Sequence, residues 1–271
     1  MRREGLLAER APAKLNLALH VRGDLPDRRR RIETLFVFCE DGDELGGEEA
    51  EDIELTVDGR DAPELSSSEN LVVRAAFALR RASGAEKGAR LFLRKLLPLA
   101  SGLGGGSADA AAALRLLARL WKIDPCFAGE VAPKIGSDVP ACLISRTCLG
   151  KGAGDQLTVV HIPELSRKPV LLVNPSIKLG TAEVFARWDG VDRGPLKDWQ
   201  NGRNDLEAPA ISLVPQIGKV LDWLRGRPGA EFVRMSGSGA TCFALFESEI
   251  ARDRAAADCP SNWWHLATVL R

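Results

Sequence analysis

The chain has 271 residues, room for one large or two ordinary domains, and its 45% apolar and 27% charged side chains are the balance of a globular protein. Lys+Arg and Asp+Glu are equal at 37 each, so no global field draws the chain to nucleic acid or to an anionic membrane. No apolar run approaches the roughly 20 residues that span a bilayer, the N-terminal MRREGLLAERAPAK lacks the continuous apolar stretch of a signal peptide, and a cytoplasmic protein is expected.

Residues 10–21, RAPAKLNLALHV, alternate from Lys14 onward. The pattern predicts a strand with Leu15, Leu17 and Leu19 on one face and Lys14, Asn16 and Ala18 on the other. A polar strand face ordinarily meets water. The stretch DLPDRRRRIETLFVF opens on a charged loop, Arg28 to Arg31, and closes on an apolar strand. The loop reads as a solvated turn or, because guanidinium forks suit phosphates, as an anion clamp. Residues 40–65 are acidic and contain the strand DIELTV, with Ile53, Leu55 and Val57 on one side, which suggests a hairpin. Ser66 to Ser68 offer N-caps for a helix with the stripe Leu71, Ala75, Ala78 and Leu79, ended by Gly84.

A strand, ARLFLRK, follows with Leu91 and Leu93 on one face, then Gly102, Gly104, Gly105 and Gly106, then the Ala- and Leu-rich SADAAAALRLLARLW. That order predicts strand, glycine-rich turn, helix. Glycine allows positive φ and close approach of a ligand to the backbone. The helix start adds free N–H groups and a positive dipole end, so a phosphate is the expected occupant. A Walker A loop would end in Gly-Lys-Ser/Thr, but Gly105 and Gly106 lead straight to Ser107. A Rossmann loop would need a third glycine where Ser107 stands.

Asp138 lies in GSDVP, ahead of an apolar segment, a place that suits a cap or a turn. GKGAGDQL reads as a hairpin turn. From about residue 160 come the strand KPVLLVNP, a short helix GTAEVFARW, and a helical segment from Asn204 to Leu224 interrupted by Pro209 and Pro215. Two strands, EFVRM and TCFALFES, are joined by SGSGA; a helix, SEIARDRAAADC, and a strand, WHLATVL, end the chain. The order β-α-β-β-α-β is that of a ferredoxin-like fold with a helical insert. Two domains are expected, residues 1–160 and 161–271. Six cysteines without a C-x-x-C pair, and only three histidines, argue against structural zinc and for small buried thiols in a reducing compartment.

The loop PLASGLGGGSAD resembles the phosphate-binding motif of the GHMP kinase superfamily, P-x-x-x-G-L-G-x-x-S-A, at Pro98, Gly102, Leu103, Gly104, Ser107 and Ala108. PAKLNL is similar to the first motif of those GHMP kinases that act on a diphosphocytidyl sugar alcohol, GSDVP to their G-A-D-V-P, and MSGSGATCFALF to the third GHMP motif. The resemblance implies an α+β GHMP kinase fold, with an N-terminal ribosomal-protein-S5-domain-2-like ATP-binding domain and a C-terminal ferredoxin-like domain. It implies that Pro98, Leu99, Ala100, Ser101, Gly102, Leu103, Gly104, Gly105, Gly106, Ser107 and Ala108 bind ATP. Lys14 and Asp138 would be catalytic, and Asn16, Asp138, Thr181, Phe185, Ser236 and Gly237 would bind the substrate, diphosphocytidyl methylerythritol. Mg²⁺ would accompany ATP without a dedicated carboxylate cage, with Ser107 or Asp138 helping to position it. A monomer or homodimer is expected. One departure stands out: where the family reads G-Y-H after Asp27, this chain has Arg28, Arg29 and Arg30, and it has no tyrosine at all. Three readings follow from it: a locally displaced register, arginine stacking on the base in place of the aromatic, or weakened cytidine recognition. The last would suit a kinase of a different small alcohol or an ATP-binding protein of the same fold.

Overall fold

The computed structural model describes residues 6–60 and 70–271. Contacts divide the chain into two compact units. The first comprises the chain up to Ala13, Asp41–Leu99 and Gly104–Ser145; the second comprises Lys14–Glu40, Ala100–Leu103 and Arg146–Arg271. The division falls inside two long strands, β1 (Leu7–Asp24) and β2 (Arg30–Ala50), and inside the glycine loop.

In the first unit, β3 (Ile53–Gly59) runs parallel to β4 (Gly88–Lys95), and β4 runs antiparallel to the second part of β2. The strand β4 therefore lies between β2 and β3, and the expected hairpin over 40–65 does not form. A parallel neighbour needs a crossover, and α1 (Leu71–Ser83) supplies it. Asn70 caps α1, its side chain accepting from the Val72 N–H, and Gly84 ends it in the left-handed conformation. The expected caps Ser66 to Ser68 lie outside the described residues. On β4, Ala89, Leu91, Leu93 and Lys95 share the buried parity while Arg90 and Arg94 are exposed.

The helix α2 (Gly105–Leu120) starts directly at the glycines rather than at Ser107. It is apolar almost all round, and Ala108 and Ala110 to Leu114 are buried, as such a helix must be. A glycine of the sheet allows the close approach: a Cβ on Gly47 of β2 would lie 2.7 Å from a Leu116 methyl of α2. Two short helices follow, α3 (Cys126–Ile135) and α4 (Val139–Ile144). Arg115 of α2 ties α4 in place, donating to the Cys142 carbonyl at 2.8 Å.

In the second unit, the first part of β2 pairs with β5 (Cys148–Lys151), which forms the expected hairpin with β6 (Gln156–Val159). The C-terminal sheet is antiparallel in the order β10-β7-β9-β8, from β7 (Pro169–Asn174), β8 (Ala230–Met235), β9 (Cys242–Phe246) and β10 (Trp264–Val269). This is the ferredoxin-like arrangement, with α8 (Glu249–Ala257) between the last two strands. The insert between β7 and β8 holds α5 (Thr181–Ala186), α6 (Glu207–Leu213) and α7 (Gln216–Arg225). Pro209 sits in the first turn of α6, where its missing N–H costs no helical bond, so only Pro215 separates helices. Val173, Ile217, Leu221, Cys242 and Phe246 lie in the core of this unit. No helix among the described residues is long and apolar enough to cross a membrane.

Candidate functional site

In the second unit three sequence-distant segments meet. Residues 11–21 of β1 are buried on both faces, so Lys14 and Asn16 do not meet water as the alternation suggested. A buried polar group needs partners, and here they form a chain. Lys14 Nζ donates to Asn16 Oδ1 at 2.9 Å and lies 5.4 Å from the centre of the Phe36 ring. Asn16 Nδ2 donates to Thr34 Oγ1 at 2.8 Å, and Thr34 Oγ1 donates to the Ala18 carbonyl at 2.6 Å. The Asn16 N–H donates to Ser236 Oγ at 3.2 Å, and Ser236 Oγ donates to the Gly102 carbonyl at 3.0 Å. The Lys14 N–H donates to the Leu103 carbonyl at 2.9 Å.

The structure thus brings together Lys14, Asn16, Gly102, Leu103, Ser236 and Gly237. The first part of the glycine loop, Ala100 to Leu103, is held by backbone bonds from Thr241 to Ser101 and from Leu179 to Ala100. Gly102 has φ +78°, and a Cβ there would sit 2.3 Å from the Ser236 carbonyl oxygen. Asn204, in the RNDLE stretch, donates from Nδ2 to the carbonyls of Met235 and Gly237, both at 2.8 Å, and so fixes the SGSG turn. Thr181 pairs with Ser238 through their hydroxyls at 2.9 Å. Phe185 is half-buried on α5 and packs on the core of the unit.

The remaining predicted residues belong to the first unit. Pro98 and Leu99 lead out of β4, and Gly104 caps α2 with φ +65° and no side-chain cap bond. The first α-helical bond of α2 runs from the Ala108 N–H to the Gly104 carbonyl at 2.8 Å. The cap residue Gly104, having no side chain, cannot compete for the amides of Gly105, Gly106 and Ser107, as suits an anion cradle. Asp138 caps α4 and is half-buried; its carbonyl accepts from the Cys142 N–H at 3.0 Å.

Sequence reasoning missed a buried trio beneath this loop. Lys95 Nζ donates to Asp43 and, at 2.6 Å, to Asp109 Oδ2. Burial, reinforced by the charge of Asp43 and opposed by Lys95, pushes the Asp109 carboxyl up to about 8. Burial works against the Lys95 ammonium, yet Asp109 and Asp43 outweigh it and hold the group above its usual value. One signal was available: position 95 continues the buried parity of Leu91 and Leu93 on β4.

The expected loop over Arg28 to Arg31 is shorter: Arg28, left-handed at φ +67°, and Arg29 close a tight turn with Leu25, while Arg30 and Arg31 already open β2. Arg29 pairs with Asp27 at 2.7 Å and Asp155 at 3.0 Å, and Arg30 pairs with Asp24 at 2.9 Å. The Arg30 guanidinium also lies 5.3 Å from the centre of the Trp188 ring, whose buried Nε1 has no hydrogen-bond partner among the described residues. Four of the cysteines are buried, Cys259 is half-buried and Cys126 is exposed; all are free thiols. Burial pushes Cys148 and Cys259 up to about 11, which leaves them unreactive.

Two family models match the chain, GHMP kinases N terminal domain over residues 70–146 and GHMP kinases C terminal over 192–264. The 4-diphosphocytidyl-2-C-methyl-D-erythritol kinase of Rhizorhabdus wittichii is 48% identical, covering 97% of this chain and 94% of its own. That of Novosphingobium aromaticivorans is 46% identical, covering 98% and 93%. A crystal structure of 4-(cytidine 5'-diphospho)-2C-methyl-D-erythritol kinase superimposes with a TM-score of 0.85 at 31% identity, over 97% of this chain and 99% of that one. Homoserine kinase from Cytophaga hutchinsonii shares the fold, with a TM-score of 0.72 at 21% identity over 100% and 96%.

Proposed function

The chain belongs to the GHMP kinases, within the family of 4-diphosphocytidyl-2-C-methyl-D-erythritol kinases, and we propose its reaction and the roles of its residues from that premise. It is an ATP-dependent phosphotransferase that phosphorylates the 2-hydroxyl of 4-diphosphocytidyl-2-C-methyl-D-erythritol, a step in the non-mevalonate route to isoprenoid precursors. The observation that carries the reading is similarity over nearly the full length together with the buried chain from Lys14 through Asn16 and Ser236 to Gly102.

Phosphoryl transfer asks the protein mainly for positioning and charge stabilisation. The amides from Gly102 to Ser107 receive the phosphates of ATP, aided by the positive end of α2. Asp138 accepts the proton of the attacking hydroxyl. Lys14, fixed by Asn16, offsets negative charge as the phosphoryl group moves. Mg²⁺ suits this setting as a companion of the nucleotide. Among the described residues no group of three or more His, Cys, Asp or Glu side chains stands ready to hold a metal. Mg²⁺ would keep phosphate oxygens and water as most of its ligands, with Ser107 or Asp138 adding at most one.

Phe185 stacks on the cytosine. Arg30, whose guanidinium lies over the Trp188 ring, takes the place of the missing tyrosine and histidine. The free thiols suit a reducing cytoplasm. The deciding experiment is ATP consumption with the diphosphocytidyl substrate beside homoserine, mevalonate and galactose. Turnover confined to the first is expected; turnover confined to another alcohol would overturn the substrate and leave the kinase class standing.

A further inference from the structure

The trio Asp43, Lys95 and Asp109 is 0%, 2% and 3% exposed, so its charges are wholly inside the protein. As a source of stability this is a poor arrangement, because apolar residues of similar volume usually do as well or better. What apolar residues cannot do is fix polar atoms in direction. Asp43, from β2, accepts through Oδ1 from the N–H groups of Leu96 and Leu97, at 2.6 and 2.9 Å, where the chain leaves β4 for the glycine loop. Lys95 reaches across to Asp109, two residues past Ser107 on α2. The two flanks of the loop are therefore bound to one ammonium group. That ammonium lies against the loop itself: a Cβ on Gly105 would sit 3.4 Å from Lys95 Nζ and 3.6 Å from Asp43 Oδ2.

We propose that Lys95, gripped by Asp43 and Asp109, is the positioning residue of the phosphate loop, setting where the amides of Gly105 and its neighbours point. The proposal rests on the reading of this loop as the ATP phosphate site.

Lys95→Met alone strands two buried carboxyls and risks the fold, so the test uses Lys95→Met with Asp109→Leu and Asp43→Asn, which removes all three charges and keeps an amide oxygen for the Leu96 and Leu97 N–H groups. This triple variant is expected to melt near the wild type, to raise KM for ATP at least tenfold, and to change kcat and KM for the diphosphocytidyl substrate less than threefold. An unchanged KM for ATP in the folded triple variant overturns the proposal. A second comparison needs no removal of Lys95: KM for ATP in Asp109→Leu, which keeps the Lys95–Asp43 pair but loses the acceptor on α2, and in Asp109→Asn, whose amide oxygen still accepts from Lys95. Asp109→Leu should raise KM for ATP severalfold and Asp109→Asn should stay within threefold of the wild type; equal values in the two variants overturn the proposal as well. Calorimetric titration of the wild type with ATP at pH 7 separates the two readings, since absence of binding there would defeat the phosphate-site assignment rather than the role of Lys95.

Discussion

Replacing Gly102 by alanine tests the meeting of the glycine loop with the SGSG turn. Two costs combine at this position. An L-residue held at φ +78° pays about 1–2 kcal/mol in backbone strain. The added Cβ would lie 2.3 Å from the Ser236 carbonyl oxygen and 2.9 Å from both the nitrogen and the oxygen of Gly239, all backbone atoms that cannot swing away. Forced overpacking of this kind costs about 1–3 kcal/mol more. Gly84→Ala separates the two terms, because Gly84 has φ +69° but nothing within 4 Å of the point a Cβ would occupy. Urea unfolding of both variants should therefore show a loss of about 1–2 kcal/mol for Gly84→Ala and about 2–5 kcal/mol for Gly102→Ala. Gly102→Ala should also raise KM for ATP, and Gly84→Ala should leave it alone. Equal losses in the two variants would refute the claim that the two loops touch closely enough to exclude a methyl group.

Asp138→Asn should lower kcat by roughly 10²–10⁴-fold, the usual worth of a general base, while calorimetry still detects ATP binding; near-normal turnover would remove Asp138 from that role. Lys14→Met should reduce kcat by on the order of 10²-fold with a far-UV spectrum like that of the wild type, and an active variant would refute the charge-offsetting role. Arg30→Ala should raise KM for the diphosphocytidyl substrate about tenfold without altering KM for ATP, the difference expected from about 1.4 kcal/mol of lost contact; equal change in both constants would place Arg30 outside the cytidine contacts. The Asp109 carboxyl titrates at about 8 in the folded protein, above its unfolded value. Its stabilising contribution is thus complete below pH ~4 and is lost as pH rises through about 8. Measured against Asp109→Asn, the unfolding free energy of the wild type should fall by up to about 1.4 kcal/mol per pH unit over that window, and parallel curves would refute the shift.

The elements with strong local patterns were readable from the chain. The alternation of β4, the glycines and the apolar helix after them fixed the order strand, loop, helix, because each depends on neighbours within a few residues. The C-terminal strand order followed from one recurring motif. Strand partners were less readable: nothing in DIELTV says that it pairs with β4 rather than β2, since that choice is made by the α1 crossover. Lys14 and Asn16 were found through motif resemblance, but the alternation placed them toward water, because periodicity reports a difference between faces and β1 has none from residue 11 to 21. Asp43 sat in an acidic stretch with no local sign of burial. Its burial depends on Lys95 and on two N–H groups more than 50 positions away, which no local window contains.

The bond from Asn16 to Ser236 joins positions 220 residues apart. Loop closure over such a span is slow to win back its entropy, and contacts of this range mark late events in folding. During synthesis the glycine loop leaves the ribosome long before Ser236 and Asn204 do. The nascent chain thus carries its glycine loop before the turn that braces the loop's first half exists. Under the proposed assignment, a chain that ends before residue 236 is expected to bind neither ATP nor the alcohol substrate.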